Sequence, residues 1–151
     1  MEFTDNRFCR HAHRRPRPTT VCAIMSSMSD PALARCERPL TDHERELVAW
    51  LIEHGTYGDR PTLHAQIPRL SVRERCTCGC PTVYFALDGK PVPRKGERLV
   101  SDHLATVDGM EVGIMLFETT GDLSSLEVYS CPGSDQPFGL PDTTSIRSLP
   151  S

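Results

Sequence analysis

The segment CTCGCPTVYF places three thiols, Cys76, Cys78 and Cys80, on alternate positions within five residues. Zinc takes four soft or borderline ligands in a tetrahedron, and three thiolates supply most of such a site. The expected fourth donor is Cys131 or His103, both in segments that read as strands of one sheet. Against this, the familiar zinc spacing is C-x₂-C, whereas this chain has C-x-C-x-C. On an extended strand, alternate side chains share a face but stand about 7 Å apart, too far to share one ion. Chelation therefore requires the chain to turn at Gly79–Pro81, where glycine and proline permit it. Without that turn, Cys76 and Cys80 are small buried hydrophobes ending two strands, with Cys78 at the tip. The strand pattern favours this packed corner, with metal binding as the alternative and a redox or nucleophilic Cys78 behind both. Sulfur separations decide the matter, because a tetrahedral zinc site brings them to about 3.5–4 Å.

The other reactive side chains are less well grouped. Asp102 and His103 are neighbours on a predicted strand and point to opposite faces, so the carboxylate cannot orient the ring. His43 and His54 fall three turns apart on one predicted helix, too far to hold an ion together. Glu111, Glu118, Asp122 and Glu127 lie near turns and alternate strand positions, as a solvated acidic face would. The chain has no phosphate-binding glycine loop, His-Glu-x-x-His helix, nucleophile elbow or calcium loop. No catalytic residues are predicted.

These side chains must be positioned by the elements around them. LTDHERELVAWLIEHG, Leu40 to Gly55, begins with Thr41 and Glu44 at capping-box spacing, and Asp42, Glu44 and Glu46 suit the positive helix start. Leu47, Trp50, Leu51 and His54, widened by Val48 and Ile52, form an apolar stripe of helical period. Gly55 is the expected left-handed terminator. A shorter helix is predicted over Asp59 to Ile67, admitting Pro61 in its first turn and stopped by Pro68. Strands follow over LSVRERC and TVYFALD, the second ending at Asp88-Gly89. LVSDHLATV and MEVGIMLFE flank Asp108-Gly109 as a hairpin, and LSSLEVYS follows the turn TTGD. The expected fold is α+β: the N-terminal helix and the short helix pack on one face of an antiparallel sheet of about five strands. Val112, Ile114 and Leu116 face one way and Met115 and Phe117 the other, so this strand needs cover on both sides. Packing within the chain is the expected cover, and a partner or dimer face is the alternative.

At 151 residues, with 38% hydrophobic and 25% charged side chains, the chain suits one globular domain. Charge is unevenly spread. The first 24 residues hold five arginines against Glu2 and Asp5, so the net −3 leaves the remainder six charges negative. That body is not expected to bind nucleic acid. HAHRRPRP lacks apolar periodicity and reads as a disordered leader, with Met25 and Met28 as possible later starts. The boundaries follow as a basic leader over 1–38, one α+β domain over 39–131, and a Pro/Gly/Ser-rich tail over 132–151. No apolar run matches a secretory signal or a membrane span, so a cytoplasmic location is expected. Seven cysteines is an odd number, and in a reducing compartment those of the folded part are expected as thiols or metal ligands.

LTDHERELVAWLIEHG, RERCTCGCPTVYF and GDLSSLEVYS together resemble a type of small uncharacterised bacterial protein, in which a helix precedes a Cys-Gly-Cys strand and a Leu-Glu-Val-Tyr strand. The resemblance covers about Leu40 to Pro141 and implies a bacterial cytosolic domain without assigning an activity. The acidic body, the two-sided strand and the missing catalytic motifs point to a non-enzymatic interaction domain, accessory or immunity-like, binding a protein partner or itself. The alternative is a small structural zinc module on Cys76, Cys78 and Cys80 with Cys131 or His103.

Overall fold

The structure, a computed structural model, describes residues 33–134 and 136–147. Residues 1–32, most of the segment expected as a leader over 1–38, lie outside them. The elements run β1 (Leu33–Pro39), α1 (Asp42–Glu53), α2 (Arg60–Gln66), β2 (Leu70–Cys76), β3 (Val83–Leu87), β4 (Lys90–Pro91), β5 (Arg98–Val107), β6 (Met110–Thr119) and β7 (Asp122–Ser130). Single 3₁₀ turns occupy Ile67–Arg69 and Thr143–Ser145. The strands form one antiparallel sheet in the order β1-β2-β3-β7-β6-β5, with β4 paired to the end of β3.

The α+β architecture agrees with expectation, but the sheet has seven strands rather than about five. The two additions are β4, a two-residue pairing, and β1, which starts at Leu33 inside the segment read as leader. β1 is an edge strand whose pairing with β2 shifts register between Arg35 and Arg38, where Glu37 has φ 23°. Its anchor is Arg38, whose guanidinium donates to both carboxylate oxygens of Glu44 at 2.7 and 2.8 Å. Glu44 also completes the capping box of α1. It accepts from the Thr41 amide at 2.8 Å, while its own amide donates to Thr41 Oγ1 at 3.1 Å. One buried carboxylate thus starts the helix and holds the edge strand.

The helical stripe is as the periodicity predicts, with Leu47, Val48, Leu51 and Ile52 buried. Gly55 is a correction. It does not adopt a left-handed φ, and His54 is the C-cap. Glycine is required there because a Cβ would lie 2.7 Å from the Val100 carbonyl oxygen and 2.9 Å from that of Leu51. The Asp59 carboxylate caps α2, which ends on Gln66. The Gln66 side chain donates to the Gly121 carbonyl at 2.7 Å and accepts from the Leu123 amide at 2.8 Å, tying α2 to the β6–β7 turn.

The main core lies between helices and sheet, where Leu47, Leu51, Ile52 and Leu63 share a cluster with Val72, Phe85, Ile114, Leu116, Leu126 and Val128. A smaller cluster joins Leu104, Tyr129 and Cys131, with Met115 half-buried against it. Tyr129 occupies the space above Gly113, where an added Cβ would fall 2.1 Å from its ring. Val112, Ile114 and Leu116 are fully buried, while Met115 and Phe117 are half-buried. The C-terminal segment packs on the domain: Phe138, Leu140 and Ile146 join the main core, and Arg147 bridges to Leu104 at the free edge of β5. No helix among the described residues is long and apolar enough to cross a membrane.

Candidate metal centre

The cysteine segment is the connection between β2 and β3, and its shape is set by three contacts. The Cys76 amide donates to the Thr82 carbonyl at 3.1 Å, closing the base of the turn. Pro81 has no amide to offer the ladder. Beside it, the Thr82 hydroxyl accepts from the Val128 amide at 2.9 Å and donates to the Val128 carbonyl at 3.1 Å. This side chain therefore carries the β3–β7 pairing beyond the end of β3. At the tip, Gly79 has φ +101°, which side-chain-bearing residues rarely adopt. Its carbonyl accepts from the Phe138 amide at 3.1 Å, and Pro137 lies so close that an added Cβ would sit 3.1 Å from its Cα. The C-terminal segment thus holds the tip in place.

That tip brings the three sulfurs together. Sγ of Cys78 stands 3.1 Å from Sγ of Cys76 and 3.1 Å from Sγ of Cys80, and all three lie within 4.8 Å of one another. The turn at Gly79 takes the cysteines out of extended backbone, so the roughly 7 Å separation expected of a strand is corrected. The pairs at 3.1 Å are closer than the about 3.5–4 Å of a zinc tetrahedron, so this cluster could hold an ion by spreading its sulfurs. Cys78 is exposed, and Cys76 and Cys80 are half-buried.

Backbone amides point at the sulfurs. The Cys80 amide approaches Sγ of Cys78 at 3.5 Å, and amides of Cys78 and Thr82 serve Cys76 and Cys80. Amide donors stabilise sulfur in its thiolate form. Burial pushes the Cys80 thiol up to about 12 and that of Cys76 upward as well. Burial also opposes ionisation of Cys78, but hydrogen bonds from Cys80, Cys76 and nearby amides outweigh it and draw this thiol downward. Thiolates 3.1 Å apart repel strongly, so the trio can ionise fully only around a cation.

The two proposed fourth donors do not join the trio. Cys131, at the end of β7, is engaged in a disulfide, so its sulfur is no thiolate and the expectation of thiols throughout the folded part is corrected there. His103 is on β5, separated from β3 by β7 and β6, about 14 Å at the usual strand spacing. It is buried against the edge of Trp50, with ring centroids 5.0 Å apart, and burial lowers its pKa. His43 and His54 are likewise apart, the first against the Pro141 carbonyl and the second stacked on Trp50. The supporting roles of Thr82 and the Pro137–Phe138 segment escaped the sequence. Only the Pro81-Thr82 pair offered a signal, a donorless residue followed by a side chain able to bridge a ladder. Comparison with family models, curated proteins and solved structures found no match for this chain.

Proposed function

We propose that the protein is a metal-binding module whose β2–β3 tip holds one thiophilic divalent ion, zinc by preference, on Cys76, Cys78 and Cys80. The observation that carries this is the convergence of three sulfurs on one side of a braced turn, at 3.1 Å across both pairs that include Cys78. Soft thiolates favour zinc over magnesium or calcium, which take oxygen donors. Three protein sulfurs leave one coordination position of a tetrahedral ion for water or another donor. Because Cys80 keeps its proton up to about pH 12 without an ion, binding displaces protons and strengthens as pH rises.

An interaction role rests on the acidic body and on the two-sided strand β6, whose Met115 and Phe117 are half-buried. Among the described residues the exposed large hydrophobic side chain is Tyr57, so little apolar area remains to anchor a partner. The metal reading has the more specific support. Elemental analysis of protein purified without added metal, or after zinc exposure and desalting, tests it. The expected result is one ion per chain, lost in Cys78→Ser and retained in Cys36→Ser. Equal metal content in those two variants would refute the assignment.

A further inference from the structure

We infer that the same trio is also a two-electron thiol–disulfide centre, in which Cys78 is the entry sulfur and Cys76 or Cys80 the resolving one. The inference uses the sulfurs but not the ion, so it stands or falls independently of metal binding. Its basis is the arrangement of contacts. Cys78 is the exposed member and its sulfur lies 3.1 Å from each of two others, whereas Cys76 and Cys80 are half-buried. A small disulfide from solution therefore meets Cys78 first, and whichever sulfur it leaves attached has two thiols within reach.

The chemistry balances with a low-molecular-weight disulfide, R–S–S–R, as oxidant. The Cys78 thiolate attacks one sulfur of R–S–S–R, forming the mixed disulfide Cys78–S–S–R and releasing RS⁻. The thiolate of Cys76 or Cys80 then attacks Sγ of Cys78 and expels the second RS⁻. The protein loses two electrons and two protons in all, and R–S–S–R becomes two R–SH. The third cysteine remains a thiol. Because an internal disulfide removes two of the three metal donors, oxidation also empties the metal site. The geometry distinguishes this from ordinary surface thiolation, which stops at the mixed disulfide.

The test uses the full chain, stripped of metal with a chelator and incubated with oxidised glutathione. Trypsin cleaves after Arg75 and Arg94, while Pro91 protects Lys90, so one peptide carries all three cysteines and no others. The expected peptide is two hydrogens lighter, with one alkylatable thiol and no retained glutathione. In the Cys76→Ser/Cys80→Ser variant, where resolution is impossible, the expected product is one glutathione held on Cys78. Retained glutathione on the wild-type peptide, or three alkylatable thiols after exposure, would overturn the inference. Since the protein is metal-free throughout, neither result bears on whether it binds zinc. Circular dichroism of the double variant checks that it is folded; should it unfold, Cys78→Ser alone serves, with at least a tenfold slower loss of hydrogens expected and an unchanged rate overturning the inference.

Discussion

Replacing Gly79 by alanine puts a side chain where the backbone has φ +101° and where the new Cβ would meet Pro137 Cα at 3.1 Å and its nitrogen at 3.3 Å. A non-glycine residue in such a conformation costs about 1–3 kcal/mol. Pro137 is backbone of a segment already bonded to Gly79 through Phe138, so it yields only by loosening that bond. How the cost divides depends on the metal-free turn. If the turn relaxes without metal, the strain falls on the metal-bound state and weakens affinity about 5- to 150-fold at 1.4 kcal/mol per decade. If the turn keeps its shape, the strain appears as lost stability of the metal-free protein, about 2–4 °C in Tm per kcal/mol for a chain of this size. Competition against a chromophoric chelator measures the first quantity, and thermal unfolding in excess chelator measures the second. The two losses together are expected to reach about 1–3 kcal/mol. A Gly79→Ala protein with parental affinity and parental Tm would refute the claim that this glycine shapes the site.

Thr82→Val removes the hydroxyl that serves both backbone groups of Val128, leaving buried polar groups without partners at about 1–3 kcal/mol; urea unfolding should show this loss, with Thr82→Ser retaining most of the stability. Glu44→Gln tests the shared cap and edge-strand anchor. Burial of Glu44 favours its neutral form, but the Arg38 guanidinium and the Thr41 amide outweigh it and hold the carboxyl below its usual 4.5. A carboxyl depressed in the folded state contributes stability above its unfolded pKa and loses it as pH falls through the folded one. The wild type should therefore lose stability on acidification below about pH 4.5 more steeply than the Gln variant, and parallel pH–stability curves would count against this coupling.

Local chemistry was legible in the sequence and long-range contact was not. The capping box at Thr41 and Glu44 needs only residues three apart, and the structure contains it. Asp88-Gly89 and Asp108-Gly109 announce their turns in the same way, each pair with positive φ. β1 left little trace, because LARCERP has few apolar residues and becomes a strand only through pairing with β2 and the Arg38–Glu44 contact. Gly55 looked like a helix terminator, yet its need arises from the distant Val100. The cysteines show the same limit. Their alternate spacing predicts separated sulfurs, and what overrides it is the left-handed Gly79, braced by Pro137 and Phe138 from the far end of the chain.

X-ray absorption at the zinc edge, on protein loaded with one equivalent of zinc, counts the sulfurs around the ion directly. Three sulfur neighbours at about 2.3 Å, with one lighter scatterer completing the shell, are expected from the trio. The count should fall when Cys78 is replaced by serine. A shell of nitrogen and oxygen alone, or a sulfur count unchanged by that substitution, would contradict the metal-centre account.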